Sequence, residues 1–298
     1  MPPVSVVIVN YNAGSLLADC VQATFQQAQQ IIVIDNASTD SSITELTTHF
    51  PAEDHLCVKR MNQNLGFAAG CNIGLNIATS PYILFLNPDC ILGSDTLKRL
   101  VNVMETDPLI GMVGGRLTNS DGTEQGGGRR AIPTPWRSFV RAFGLYRLEK
   151  YWPRLFFDFH LHQQPLPNTP IEVEAISGAL MLVRREAIKD VDTWDEQYFL
   201  HCEDLDWCMR FRQKGWKILF VPDAPVLHHK GTCSRARPIF VAWHKHKGMW
   251  RFYQKFFHNQ YPRILMWLVA GGVWLRFGAV VLFYTVDHIY KFLRFRHE

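Results

Sequence analysis

"LFLNPDC", Leu84–Cys90, is the stretch from which the rest of the chain is read. The run Tyr82-Ile83-Leu84-Phe85-Leu86 has the composition of a buried strand, and it stops at Asn87-Pro88-Asp89. Pro88 offers no N–H to a sheet ladder, so a central strand cannot continue through it. A buried strand that ends by presenting an amide and a carboxylate fits an open α/β sheet, whose carboxyl edge receives ligands.

The segments around it repeat the pattern. Val4 to Val9 is a β-branched run closed by Asn10-Tyr11-Asn12, and Leu16, Leu17, Cys20 and Ala23 follow at helical spacing. Ile31 to Ile34 ends at Asp35, and Asn36 to Asp40 is turn and cap chemistry that opens a helix through Ile43, Leu46 and Phe50. Asn64-Leu65-Gly66 leads into a helix over 67–78, and Asp95 is placed to cap the helix carrying Leu97, Leu100, Val101 and Met104. Ile110 to Val113 is the next strand, Val173 to Arg184 and Trp216 to Val221 supply later ones, and a helix starts at Glu203-Asp204. Strands alternating with helices predict a doubly wound, mainly parallel sheet with helices on both faces. Residues 115–170, rich in Gly, Pro, Arg and aromatics, break the rhythm and are expected to form a mobile loop.

At 298 residues, with 47% hydrophobic and 19% charged side chains, the chain can bury a large core and is neither disordered nor collagen-like. Its charge is unevenly spread: residues 1–230 hold 20 Lys and Arg against 25 Asp and Glu, residues 231–298 hold 11 against 2. A basic tail on a mildly acidic body points to an anionic partner for the tail. The seven cysteines form no CxxC pair, which favours reduced thiols and a cytoplasmic body, and no signal peptide is visible at the N-terminus.

Several residues could carry chemistry. Asp35 is either a loop carboxylate or an acceptor for a nucleobase imide N–H, with the Tyr11 ring available to a base face. Asp89 could ligate a cation, because a nucleoside diphosphate brings its own oxygens and leaves the protein only one or two ligands to supply. His228, in "VLHHKG", reads as a loop histidine whose neutral imidazole suits Mn²⁺. Glu203-Asp204 either cap a helix or present a general base to a sugar hydroxyl.

The ordered set "VSVVIVNYN", "VIDNASTDSS", "NLGFAAGCNIG", "LFLNPD", "SGALMLVRR", "FLHCEDLDWCMR" and "VLHH" resembles glycosyltransferase family 2, in its bacterial rhamnosyltransferase-like branch, over about residues 4–234. The resemblance implies a GT-A fold and inverting transfer from a dTDP- or UDP-sugar, with Mn²⁺ or Mg²⁺ as cofactor. It places nucleotide contacts at Asn10, Tyr11, Asn12, Asp35, Asn64, Gly66, Asn72 and Asn87, and metal ligands at Asp89 and His228. Asp204 is then the catalytic base beside Glu203, and Gly178 and Trp207 line the acceptor and sugar pocket. Asn87 stands where the family at large has Asp, and Cys233 and Ser234 fit imperfectly where a Gly-x-Ser follows the histidine.

The C-terminal region, 235–298, divides from the catalytic part at 234/235. Arg235, Arg237, Lys245, Lys247, Arg251 and Lys255 interleave with aromatics, as in a helix on a membrane surface. Residues 264–286 are long enough to span a bilayer, but Arg276, Gly271-Gly272 and basic flanks on both sides (Arg263; Lys291, Arg294, Arg296) predict a helical hairpin dipping into the cytoplasmic leaflet. Such a tail would hold the enzyme on the cytoplasmic face of the inner membrane, near a polyprenyl-linked glycan acceptor. No nucleic-acid motif accompanies the charge. A sugar nucleotidyltransferase would need a basic Gly-rich loop after the first strand, and "NYNAGSLL" has none. An inactive membrane-associated scaffold is disfavoured by the joint presence of Asp35, Asp89, Glu203-Asp204 and His228.

Overall fold

In the computed structural model, described residues are 2–51, 53–229, 231 and 237–294, with side chains to 291. The first half is a regular alternation: β1 (Val4–Asn10), α1 (Leu16–Phe25), β2 (Gln30–Asp35), α2 (Ser42–His49), β3 (Leu56–Arg60), α3 (Phe67–Ile77) and β4 (Tyr82–Leu86). These four strands are parallel, in the order β3-β2-β1-β4. Successive side chains of a strand face opposite ways, and β1 serves two cores accordingly. Val4, Val6 and Ile8 pack under α1, α2 and α4 (Thr96–Glu105), whereas Val7 and Val9 pack under α3.

The turn at Asn87-Pro88-Asp89 ends β4 and redirects the chain. The Asn87 N–H leaves the parallel ladder to donate to the Ala179 carbonyl at 3.0 Å, and β5 (Cys90–Leu92) reappears at the far edge of the sheet. Between them lie β10 (Leu180–Arg184), antiparallel to its neighbours, then β6 (Ile110–Thr118) and β11 (Lys217–His228). β11 runs parallel to β6 and antiparallel to β5, with Cys90 opposite His228. It is longer than the expected 216–221 because it passes Pro222 and Pro225 through a register shift between Val221 and Pro225. His228 therefore ends a strand instead of lying in a loop.

The expected loop 115–170 contains ordered structure. Thr118 still belongs to β6, β7 (Arg129–Arg130) pairs with β9 (Ala175–Ile176), and α5 (Pro135–Ala142) starts under a Thr134 cap. Arg129, 2% exposed, anchors this segment with Nε and Nη2 on Glu124 at 2.8 and 3.0 Å. β8 (Ile171–Glu172) adds to β11, while α6 (Arg185–Val191) and α7 (Glu203–Gln213) cover the face shared with α3.

α8 (Pro238–Phe257) belongs to the body. Phe252, Tyr253, Phe256 and Phe257 are buried in the core that also holds Trp194, Tyr198 and Phe211. Arg251 and Lys255 each reach Asp195 at 2.8 Å, and Lys255 also reaches Asp206 at 2.6 Å. These contacts outweigh the upward push of burial and hold the Asp195 carboxyl down at about 2. The expected division at 234/235 thus does not separate two cores. That boundary, with Cys233, Ser234, Arg235 and Arg296, lies outside the described residues.

A hairpin within 264–286 does not form. α9 is one continuous helix, Arg263–Arg294, and it is α8 that turns back on it, with Trp243 against Trp274 and Phe277 at 5.3 and 5.5 Å. Each interior glycine costs about 1 kcal/mol relative to alanine, too little to break a helix flanked by long apolar runs. Residues 263–291 are apolar and long enough to cross a membrane, and little of their surface is covered by the rest of the chain.

Candidate active site

The carboxyl ends of β1 and β2 meet in register, Asn10 beside Asp35. Asn10 is fully buried, and its Nδ2 lies 3.1 Å from Asp35 Oδ1, 3.0 Å from Ser38 Oγ and 2.9 Å from Ser42 Oγ. Asp35 Oδ1 also accepts from the Ser38 N–H, while Asp35 Oδ2 has no hydrogen-bond donor and faces Arg60 Nε at 3.5 Å. Asn12 takes a left-handed φ of +53°, a conformation asparagine tolerates better than most residues. Its N–H donates to Ser38 Oγ and its Oδ1 accepts from the Thr39 N–H, clipping the loop after β1 to the loop after β2. Asn10 and Asn12 therefore shape this pocket through internal bonds, and Tyr11 stands half-buried between them.

A neighbouring asparagine organises the next loop. Asn36, 2% exposed, donates to the Gly66 carbonyl and accepts from the Leu65 N–H, while Asn64 Oδ1 accepts from the Gly66 N–H at 2.9 Å. Gly66 has φ +89°, and a Cβ there would lie 2.6 Å from the Phe199 carbonyl oxygen, so only glycine fits. Asn72 departs from the expectation of a nucleotide contact. Its amide is spent on Trp194 N–H and C=O and on Glu196 Oε1, tying α3 to the turn after α6.

The second cluster forms where β5 meets β11. Asp89 Oδ1 and His228 Nε2 are 3.3 Å apart, with the residues 4% and 9% exposed. Gln125 fixes the imidazole: its Nε2 donates to the His228 carbonyl and to Asn119 Oδ1, so its Oε1 must receive the Nδ1–H at 2.6 Å. That leaves the Nε2 lone pair aimed at a carboxylate oxygen which itself has no hydrogen-bond partner. Two electron pairs so placed repel unless a proton or a metal cation lies between them, and cis ligands of a divalent ion with ~2.1 Å bonds sit about 3 Å apart. The pair fits such an ion. Cys90 is the third potential ligand of the group, and burial pushes its thiol well up. Gln125 was not recognised in the sequence: a glutamine beside a glycine-rich run carries no signal there.

The third cluster opens α7. His201 and Cys202 both have left-handed backbones, φ +68° and +72°, held from behind by α8, where a Cβ on Gly248 would lie 2.7 Å from the His201 carbonyl oxygen. This turn starts the helix at Glu203 and sends the two carboxylates different ways. Glu203 is buried, and burial together with the neighbouring Asp204 charge raises its carboxyl to about 8. Asp204 has 14% of its side chain exposed, its Oδ2 accepting from the Gly178 N–H at 3.2 Å and paired with Arg130 Nη2, its Oδ1 accepting from the Leu205 N–H. Gly178 adjoins Ala179, whose carbonyl holds the Asn87 N–H, so the Glu203–Asp204 and Asn87–Asp89 motifs share one backbone step. Of the two residues expected in the acceptor pocket, Gly178 lies at Asp204. Trp207 does not line that pocket: it is fully buried, packed on Phe85, Trp194 and Phe211, with Nε1–H donating to the Asp192 carbonyl. Arg130 is a further residue that sequence reasoning missed.

The family profile described as "Glycosyl transferase family 2" matches residues 5–192. The N-acetylglucosaminyl-diphospho-decaprenol L-rhamnosyltransferase of Mycobacterium tuberculosis is 27% identical over 291 residues, 93% of this chain and 92% of that protein. Rhamnosyltransferase WbbL of Escherichia coli K12 is 25% identical over 225 residues, 70% of this chain and 75% of that protein. Among solved structures, GalNAc-T7 with UDP, GalNAc and Mn²⁺ superposes with a TM-score of 0.56 at 19% identity, over 76% of this chain and 43% of that one, a likeness of fold. With the profile covering well over half of its length, the chain belongs to glycosyl transferase family 2.

Proposed function

We propose that this glycosyltransferase moves a deoxyhexose of the rhamnose kind, with inversion, from a dTDP- or UDP-sugar to a hydroxyl of a polyprenyl-diphosphate-linked glycan at the cytoplasmic face of the membrane. The observation that carries the reading is the division of labour in the Glu203–Asp204 pair. One carboxyl is buried, and burial beside the Asp204 charge pushes it up toward the neutral form; the other reaches the surface beside Gly178, one backbone step from the Asn87-Pro88-Asp89 turn. Asp204 accepts the proton of the acceptor hydroxyl as that oxygen attacks the anomeric carbon from the side opposite the leaving diphosphate. Asp35 Oδ2 receives the imide N–H of the donor base, completing a buried oxygen that otherwise lacks a donor. Asn87, whose side chain makes no hydrogen bond among the described residues, is available to the ribose. Asp89 and His228 would hold a divalent cation, Mn²⁺ or Mg²⁺, which supplies charge neutralisation at the donor diphosphate. The apolar α9 and the lipid-linked substrate in the mycobacterial relative's name support a membrane location.

Asp204→Asn tests the assignment. Transfer should fall by about 10²–10⁴-fold while the nucleoside diphosphate still binds. Turnover within a few-fold of the parent enzyme would refute Asp204 as the base.

A further inference from the structure

The segment from β7 to the end of the 115–170 insertion carries features that the proposed reaction leaves unused. Residues 129–157 contain seven Lys and Arg against one Glu. On α5 and its C-cap, Trp136 stacks on Phe139 at 5.5 Å and Phe139 meets the tilted Phe143 ring at 4.6 Å, and all three are exposed, as are Tyr151, Trp152 and Leu155 farther along. Soluble surfaces seldom gather aromatics in this way without a partner.

Between these elements lies an open groove of about 800 Å³, lined by Trp136, Pro153, Leu155, Phe157 and Tyr261. The Trp136 Nε1–H donates to the Leu155 carbonyl at 2.7 Å and locks the two walls together. Two arginines line it. Arg137 is committed, with Nη1 and Nη2 on Glu174 at 2.6 and 3.1 Å, while Arg154 is exposed and has no ion pair or hydrogen bond among the described residues. An apolar trough with an uncommitted cation suits an amphiphile with an anionic head and a hydrocarbon tail.

Its position narrows the class. Tyr261 lies in the turn between α8 and α9, so the groove opens at the root of the helix long and apolar enough to enter a membrane. Thr134, which also lines the groove, is four residues beyond Arg130, the partner of Asp204, so the two Cα atoms are at most about 14 Å apart at ~3.6 Å per residue. A sugar bearing a diphosphate can bridge that interval with its hydroxyl toward Asp204.

We infer that this groove binds the isoprenoid diphosphate part of the acceptor, with Arg154 on the diphosphate and the Trp136–Leu155–Phe157 walls on the first isoprene units. The inference rests on the lipid-linked acceptor proposed above. It goes beyond it in assigning a site to residues to which the proposed reaction gives no role.

The test is photolabelling of the full chain in neutral detergent with a benzophenone-bearing polyprenyl diphosphate, adducts being mapped by mass spectrometry. Labels are expected on 134–157 and Tyr261, competed by farnesyl diphosphate. Arg154→Glu and Leu155→Asp, both at exposed positions, should each cut labelling about tenfold while donor-nucleotide binding is unchanged. Labels confined to 263–291, or yields unaltered in both variants, would overturn the inference. So would displacement of the probe by anionic phospholipid nanodiscs as effective as that by farnesyl diphosphate, which would give the groove to the bilayer. Transfer of radiolabelled sugar to a polyprenyl-diphosphate N-acetylglucosamine is measured separately. Transfer with labels elsewhere sinks the groove alone, whereas groove labelling without transfer sinks the acceptor reading and leaves a polyprenyl-diphosphate site that does not serve transfer.

Discussion

Gln125→Leu separates a metal site held from behind from one held by its ligands only. Gln125 is 4% exposed and makes three bonds: to His228 Nδ1 at 2.6 Å, to the His228 carbonyl at 3.1 Å and to Asn119 Oδ1 at 3.1 Å. Leucine of similar length removes all three, and His228, itself 9% exposed, is left with an unpaired Nδ1–H and carbonyl. An unsatisfied buried polar group costs about 1–3 kcal/mol. Part of that is relieved if the ring flips or takes the other tautomer, and either change removes the Nε2 lone pair from Asp89. The expected loss of cation affinity is therefore about 10–100-fold, the range seen when groups behind a ligand are removed. Mn²⁺ titration followed by electron paramagnetic resonance, with and without nucleoside diphosphate, reads it directly. Gln125→Glu, which keeps an acceptor for Nδ1–H, should recover most of the affinity. A folded Gln125→Leu variant that binds Mn²⁺ as tightly as the parent would refute the reasoning that Gln125 sets the imidazole.

Three further outcomes follow from what is buried and what is exposed. The Glu203 carboxyl is raised from 4.5 to about 8, so its contribution to stability is fully present below pH 4.5 and is lost as pH rises through about 8. Melting temperatures of the parent should decline across that window more steeply than those of Glu203→Gln, and parallel slopes would contradict the assignment. Truncation after Tyr261 should release the protein from the membrane fraction with nucleotide binding intact. Truncation before Pro238 also removes the buried Phe252, Tyr253, Phe256 and Phe257. At about 1.5–3 kcal/mol per side chain, that loss rivals the whole stability of a domain, and the product should be unfolded by circular dichroism.

Much of this arrangement was legible because local chemistry and global fold agree. β1, β2 and β4 announce themselves as β-branched or apolar runs closed by polar residues, since strands covered on both faces need no polar side. Pro88 marks its turn because a missing N–H cannot be hidden in a sheet. What escaped depends on partners far along the chain. The antiparallel β10 looks like any buried strand in isolation, and β11 continues past two prolines because a register shift absorbs them. Trp207 follows the acidic pair as closely as a pocket residue would, yet its helical phase turns it toward Phe211 and the core. Asn72 finds its partner 122 residues away, and nothing local distinguishes that amide from one that meets a ligand. Gly271-Gly272 suggested a break, where the cost of two glycines was smaller than the gain of an uninterrupted apolar helix.

The junction of β5 with β11 bears on how the protein comes into being. Asp89 enters the sheet through the first of these strands and His228 through the second, which is the final strand of the sheet. As a nascent chain leaves the ribosome, the loops after β1, β2 and β4 can assemble while the histidine has yet to be translated. An unfinished chain could therefore hold a nucleotide but not the ion that goes with it. On the proposed site, the capacity to bind a divalent cation would arrive only with closure of the sheet, so a population of molecules that retained the metal would, by that fact, have paired β11 with β5.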